Sequence, residues 1–180
     1  MTSTRTRALD AAIDLVGTEG LRALTHARVD ERAGLPKGST SNHFRTRAAL
    51  LSGTVDAIAA RETADLGSPY SPETAADLVE MLCGVIEYAT TVNRTTTTAR
   101  LVLFMEASHD ATIREAVSRG RVMMEAWAVP VLARLGAQDP PTAAAALMAC
   151  GEGLILHRIA RHDTSDPRPP LDLVVRAALD

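Results

Sequence analysis

The sequence has few aromatic residues, few cysteines and no long uninterrupted apolar run. Aromatic side chains make up only 3% of its 180 residues, so the interior must consist mainly of Ala, Leu, Val, Met and Ile. That composition favours helices packed on helices. The two cysteines, Cys83 and Cys150, lie far apart in apolar segments and show no CxxC spacing. We interpret them as small core residues, with a disulfide or a metal site as the less favoured alternative.

Several functional classes lack their sequence signals in this chain. No apolar run reaches membrane-spanning length, and no apolar signal-peptide core follows the N-terminal arginines, so we predict a cytoplasmic protein without a membrane segment. The chain contains no HExxH, GxSxG, P-loop or GxGxxG motif, and no Cys and His pair at motif spacing. We therefore predict that it is not an enzyme and has neither a cofactor nor a metal site.

The charges are unevenly distributed along the chain. The net charge is −3, but residues 1–50 contain eight basic and five acidic side chains, which gives this segment +3 and the remainder −6. A basic first third on an acidic body is typical of a small nucleic-acid-binding domain joined to a separate domain.

A polar segment, Gly34 to Phe44, lies between two amphipathic runs. Gly34 is suited to end the preceding helix, and Pro36 is suited to the first position of a new one. The following residues up to Phe44 have no large apolar side chain but many hydrogen-bonding groups. A helix, a tight turn and a polar second helix form a helix-turn-helix, whose second helix enters the major groove of DNA. The alternative is a solvated loop rich in Ser, Thr and Gly.

The flanks of this segment favour the helix-turn-helix. Apolar residues at helical spacing predict a first helix from about Thr4 to Val16, ended by Gly17 and Gly20. A second helix is predicted from Thr25, a good N-cap, to Ala33. Arg5 and Arg7, together with residues 1–4, form an N-terminal arm that either lies along a phosphate backbone or is solvated.

These elements together resemble the N-terminal domain of TetR-family transcriptional regulators. Residues 5–51 show the family order in ALDAAIDLVGTEG, LRALTHARVDERAG, LPKGSTSNHF and RTRAALL. The resemblance implies an all-α fold of about nine helices. A three-helix DNA-binding domain over residues 1–47 would precede a helical effector-binding and dimerisation domain over residues 48–180. It implies that Phe44 packs inside and that DNA is contacted by Thr25, Lys37, Gly38, Ser39, Thr40, Ser41, Asn42, His43 and Arg47.

The sequence departs from the family pattern just before the His-Phe pair. Many members have a tyrosine pair there, whereas this chain has Ser41 and Asn42. An aromatic contact to phosphate and thymine is therefore missing, and Asn42 is expected to read adenine by a bidentate hydrogen bond instead.

The rest of the chain is predicted to be helical throughout. A fourth helix, Arg47 to Leu66, precedes a linker, GSPYSP, at Gly67 to Pro72. A fifth helix from Glu73 to about Asn93 leads to a turn near Thr95 to Thr98. Further predicted elements are a buried helix over 99–108, a helix from Asp110 or Thr112 to Leu135 with a kink or break near Ala126 caused by Pro130, a helix over 142–162, a break over 167–170 and a helix over 171–179.

Two properties are assigned to this second region. Flexible and aromatic side chains favour an apolar ligand pocket, although plain core packing is the simpler alternative. The proposed ligand residues are Met81, Phe104, Met105, Met123, Met124, Trp127, Met148 and His157. Small residues and leucines in the last two helices, about 142–162 and 171–179, suggest the family's four-helix homodimer interface, with an intramolecular core as the alternative.

The function implied by this resemblance is a DNA-binding transcriptional regulator. We expect a homodimer that binds a palindromic double-stranded operator, represses transcription and is released by a small-molecule effector. The alternative is a helical module that binds small molecules or proteins and has no sequence-specific DNA binding.

Overall fold

The computed structural model describes residues 2–66 and 71–179. This part of the chain contains nine α-helices, one short 3-10 helix and no strand, which confirms the predicted all-α fold. The α-helices are α1 (Thr4–Glu19), α2 (His26–Arg32), α3 (Ser39–His43), α4 (Arg47–Leu66), α5 (Ala75–Thr90), α6 (Arg94–Glu106), α7 (Ala111–Arg134), α8 (Pro140–Ala160) and α9 (Arg168–Leu179). The predicted linker lies largely outside the described residues.

The contacts divide the chain into two compact units. Unit 1 comprises residues 1–66 and 95–120, and unit 2 comprises residues 67–94 and 121–180. Helices α1 to α4 therefore share a unit with nearly all of α6 and the first part of α7. The predicted domain boundary between residues 47 and 48 stays a prediction.

Unit 1 has one continuous apolar core. Helix α1 buries an entire face, from Ala8 to Val16, because its apolar residues recur at helical spacing. Leu50 and Ile58 of α4 and Leu103 of α6 pack into the same core. The three-helix head thus rests on α4 and α6 within one hydrophobic cluster.

Helix α1 is longer than predicted, because Gly17 does not end it. The helix continues to Glu19 and ends at Gly20, which has a φ of 81° and donates its N–H to the Val16 carbonyl at 3.1 Å. A Cβ at Gly17 would lie 2.8 Å from Cγ2 of Thr95, on α6. Glycine at this position therefore lets α6 approach α1 closely.

The turn predicted at the four threonines is wrong. The chain turns earlier, at Thr91 to Asn93, and α6 begins at Arg94 and includes all four threonines. Thr97 is almost completely buried, and packing of this kind outweighs the modest helix cost of a β-branched residue. The expectation of complete burial for the segment after the threonines is also wrong, since Phe104 is 48% and Met105 67% exposed.

Prolines interrupt the later helices less than predicted. Helix α7 runs continuously through Pro130, so no break occurs near Ala126. Helix α9 begins at Arg168 and contains Pro169 and Pro170 in its first turn. Amide groups in a first turn have no intrahelical acceptor, so proline removes no hydrogen bond there.

In unit 2, helices α5, α8 and α9 pack on one another. Helix α5 begins with a capping box in which the Thr74 hydroxyl accepts from the Asp77 N–H at 3.1 Å and the Asp77 carboxylate accepts from the Thr74 N–H at 3.0 Å. Ion pairs join α5 to the other two helices, with Arg158 donating to Glu87 at 2.7 Å and Arg168 to Glu80 at 2.5 Å.

Helix α8 is unusually apolar for its length. Over an 18-residue window of its 21 residues the mean hydropathy is 1.3, so by length and composition only it is long and apolar enough to cross a membrane. Glu152, His157 and Arg158 interrupt this helix, so the statement that no uninterrupted apolar run reaches membrane-spanning length holds. The buried residues of α8, including Leu147 and Ile155, are fewer than its apolar residues, so part of an apolar face is left uncovered within one chain.

Candidate nucleic-acid interface

Helix α2 is held at both ends, and its C-terminal end leads into the turn before α3. Thr25 caps α2 by accepting from the Arg28 N–H at 3.3 Å, as predicted, and Gly34, with a φ of 61°, follows the last turn of α2. The guanidinium of Arg7, on α1, donates to the carbonyls of Ala33 at 2.6 Å and Gly34 at 3.1 Å. Helix α1 therefore fixes the end of α2 and the entry to the turn.

Helix α3 begins later than predicted, at Ser39 rather than at Pro36. Gly38 has a φ of 90°, which is a left-handed conformation that glycine adopts without strain, and this residue precedes the helix. No side chain of α3 or its N-cap residue satisfies the first amides. The acceptor comes instead from α2.

That acceptor is Asp30, which is only 4% exposed. Its two carboxylate oxygens accept from the Gly38 N–H at 2.7 Å, the Thr40 N–H at 2.8 Å and the Thr40 hydroxyl at 2.5 Å. Burial opposes ionisation of Asp30 most strongly, but these hydrogen bonds together lower the pKa of Asp30 below its ordinary value. The carboxylate is therefore charged at neutral pH and caps α3 from beneath.

The other end of α3 is anchored by Phe44. Its ring is buried and packs so closely on α4 that a Cβ at Gly53 would lie 2.6 Å from it. The guanidinium carbon of Arg5 lies 5.4 Å from the ring centroid, within cation–π range. Nε2 of His26, on α2, lies 2.6 Å from the Phe44 carbonyl oxygen. Because a carbonyl only accepts, the histidine nitrogen is the donor, and this bond ties the end of α3 to α2.

Most of the predicted DNA-binding side chains lie on the surface of these elements. The exposed residues are Thr25, Lys37, Ser41, Asn42, His43 and Arg47, whereas Gly38 and Ser39 are half-buried. The Ser39 hydroxyl donates to the Pro36 carbonyl at 2.6 Å, and Arg47 donates to the Leu21 carbonyl at 3.3 Å. The hydroxyl of Thr25 accepts in its cap but keeps its proton for another acceptor.

Thr40 is the exception, and its expected position in the groove is wrong. It is fully buried, and its hydroxyl donates to Asp30 rather than facing outward. A five-residue helix must turn one side toward the core to be held at all, and Thr40 occupies that side.

Ion pairs reduce the positive charge of the surrounding surface. Arg28 pairs with Glu19 at 2.5 Å, and Arg32 pairs with Asp14 and with Glu19. The hydrogen bond from Arg28 is the largest cause of a lowered pKa at Glu19. By contrast, Lys37 forms no ion pair with any residue in the described part of the chain, so its charge is available beside α3.

Comparison with known families decides the identity of the fold. Residues 8–54 match the family described as bacterial regulatory proteins, tetR family, and residues 73–180, more than half of the chain, match the tetracyclin repressor-like C-terminal domain. The chain belongs to the TetR family. This result confirms the resemblance that the polar segment and its flanking helices indicate.

Solved structures resemble this TetR-family protein over nearly its full length. A transcriptional regulator from Rhodococcus sp. Rha1 is 18% identical, with coverage of 98% of this chain and 96% of its own and a TM-score of 0.82. The multidrug binding protein EbrR complexed with ethidium is 25% identical, with 98% and 99% coverage and a TM-score of 0.79. EbrR complexed with proflavin is 26% identical, with 97% and 99% coverage and a TM-score of 0.69. No curated protein matches the chain.

Sequence analysis of this TetR-family protein missed two residues of the site, Asp30 and His26. In the sequence, Asp30 stands out only as one of the five acidic residues within the basic segment 1–50. Its signal was its place directly after the buried Val29, on the inner side of α2 and just before a segment rich in amide and hydroxyl donors. His26 gave no comparable signal, because its partner is a backbone carbonyl.

The predicted ligand-binding residues of the regulator fall in both compact units. Phe104 and Met105 lie in unit 1 and are exposed; of the others, Met123 and His157 are exposed, and Met81, Met124, Trp127 and Met148 are half-buried. A cavity of about 310 Å³ in unit 2 is lined by none of them. Its lining is polar and comprises Glu87, Thr90, Thr91, Arg94, Arg158, His162, Asp163 and Thr164. The ligand contacts stay a prediction.

Proposed function

We propose that this protein is a homodimeric repressor that binds a palindromic operator through α3 and leaves it when a small molecule binds. The observation that carries the proposal is the exposed polar surface of α3, held on a turn that is braced from α1, α2 and α4. Ser41, Asn42 and His43 of α3 are exposed, as is Lys37 just before the helix, and their side chains offer hydrogen-bond donors and acceptors. Sequence-specific contact with DNA requires hydrogen-bonding side chains that are held in a fixed position against the base edges.

The DNA contacts divide into positioning and reading. Thr25 and Arg47, outside α3, and His43, its last residue, are suited to phosphates, whereas Lys37 can reach a phosphate or a guanine edge. Asn42 is suited to a bidentate bond with adenine. Ser41 offers a short hydroxyl in place of an aromatic ring, so the backbone of α3 can come close to the groove.

A second copy of the chain is the proposed partner of the uncovered face on α8 and α9. Leu173 of α9 is 70% exposed, and Leu156 of α8 is also exposed. A Cβ added at Gly153 would have nothing within 4 Å in a single chain, so this stretch of α8 is open to a close neighbour. Symmetric pairing of these helices would cover the face and present two α3 helices to half-sites about 34 Å apart.

Helix α6 is the proposed route from effector to DNA. It carries the exposed Phe104 and Met105, while Thr95 near its start touches the Gly17 backbone of α1 in the same compact unit. A ligand that binds better to a displaced α6 would therefore also displace α1, which holds the recognition turn. The similarity to EbrR, whose complexes contain ethidium and proflavin, makes these planar aromatic compounds the first effectors to test.

The decisive experiment is selection of bound duplexes from a random DNA pool by the purified full-length protein at two salt concentrations. We expect one palindrome, retained at the higher salt, and loss of its binding in Lys37→Ala but not in Arg22→Ala, an exposed control outside α3. Recovery of no motif, with weak binding that disappears as salt rises, would refute specific DNA binding and favour a helical ligand-binding module. Ethidium and proflavin are then added to the bound palindrome, and release is measured.

A further inference from the structure

Asp30 is the one buried charged side chain among the described residues. A carboxylate removed from water is costly unless all its partners are present, and its nearest partners here are three donors on the N-terminal side of α3. This desolvation cost arises at Asp30, which lies beneath α3, the helix that carries the exposed polar side chains.

Helix α3 cannot hold its own position. With five residues it is far shorter than the length at which a helix is stable alone, and Gly38 at its start has no side chain to cap it. Thr40 N–H is one of the amides that lack an intrahelical acceptor. The start of α3 is therefore placed by a side chain from another helix.

We propose that Asp30 is a positioning residue that sets the sequence specificity of DNA binding without touching DNA. This inference rests on the proposed function. Base contacts require the side chains of α3 in a fixed register, whereas attraction to phosphates depends mainly on charge. Loss of the hydrogen bonds that Asp30 accepts from Gly38 and Thr40 therefore weakens binding to the specific duplex and leaves binding to other duplexes intact.

A positioning role and a purely electrostatic role predict opposite changes in DNA affinity for the substitution Asp30→Asn. Asp30→Asn removes a negative charge from a DNA-binding surface, which by charge alone strengthens binding to any duplex. An asparagine has only one acceptor oxygen. If that oxygen keeps the hydrogen bonds from Thr40, the NH2 group faces the Gly38 N–H, and the hydrogen bond from Gly38 is lost. Glu31→Gln is the matched control, because it removes the same charge from the next residue, which is exposed.

The test uses the full-length protein with the palindrome selected by the wild type, and a scrambled duplex of the same composition. We expect Asp30→Asn to lose at least about tenfold in affinity for the palindrome and nothing for the scrambled duplex, since hydrogen bonds to a charged group are the strong ones. Glu31→Gln should bind both duplexes at least as tightly as the wild type. The Gly38 amide should also exchange faster with solvent in Asp30→Asn.

A second pair of variants covers the case in which Asp30→Asn fails to fold, as judged by circular dichroism and its melting curve. Thr40→Ser keeps the hydroxyl donor and should bind the palindrome like the wild type, whereas the isosteric Thr40→Val removes it and should bind more weakly. Equal binding by Asp30→Asn and Glu31→Gln, or by the two Thr40 variants, would overturn the inference alone. Failure of the wild type to select a palindrome would overturn the proposed function and the inference with it.

Discussion

Replacement of Gly17 by alanine should destabilise unit 1, although alanine normally favours a helix. Gly17 lies inside α1, where its Cβ would be 2.8 Å from Thr95 Cγ2, 3.0 Å from the Thr95 carbonyl carbon and closer still to the carbonyl oxygen. Two of these neighbours are backbone atoms at the start of α6. Relief of the overlap therefore requires movement of one helix relative to the other.

The magnitude follows from two opposing effects. Alanine in a helix interior gains about 0.5–1 kcal/mol over glycine. Overpacking against a neighbour that cannot rotate away costs about 1–3 kcal/mol. With the middle of each range, the expected net loss for Gly17→Ala is about 1.3 kcal/mol, or about 3–5 °C in melting temperature for a chain of this size.

Gly84→Ala provides the matched control. Gly84 also lies inside a helix, α5, but a Cβ there would have no neighbour within 4 Å. Alanine should therefore stabilise unit 2 by about 0.5–1 kcal/mol. Both variants are compared with the wild type by thermal and urea denaturation, followed by circular dichroism at one protein concentration. A Gly17→Ala protein as stable as the wild type would show that α1 and α6 do not approach as closely as described.

Three further predictions concern the cap of α5, the buried carboxylate and the dimer. Thr74→Ala removes one half of the capping box and should destabilise the protein by about 1 kcal/mol in urea denaturation. Because folding lowers the pKa of Asp30, its ionised form stabilises the protein above the ordinary value of 3.8, and this contribution is lost as the pH falls through the lower folded pKa. The stability difference between wild type and Asp30→Asn should therefore shrink on acidification; a difference constant with pH would contradict this. Leu173→Glu should shift the protein to monomer in sedimentation, whereas Val92→Glu, which is also strongly exposed but lies outside α8 and α9, should not.

The parts of the fold that follow local rules were predictable from the sequence. Helix α4 has the predicted bounds of Arg47 and Leu66, and Thr25 caps α2 as its hydroxyl and position suggest. Phe44 is the buried anchor of α3, because it is the one large apolar side chain among residues 37–44. In each case the pattern within a few residues determines the outcome.

Errors arose where the outcome depends on residues distant in sequence. The sequence shows four adjacent polar residues from Ser39 to Asn42, but only the position of Asp30 on α2 determines that Thr40 is the one turned inward. Gly17 resembles a helix end until Thr95 is found against it. The exposure of Phe104 and Met105 likewise depends on what surrounds α6, which spacing alone does not reveal.

The same dependence on distant residues defines the recognition helix itself. Helix α3 is fixed by Asp30 beneath its start and by the packing of Phe44 on Gly53 of α4 at its end, while Arg7 holds the preceding turn. None of these residues belongs to the exposed polar surface. Since a short helix follows whatever its supports do, substitutions at these positions should alter which duplexes are bound as effectively as substitutions of Asn42 itself.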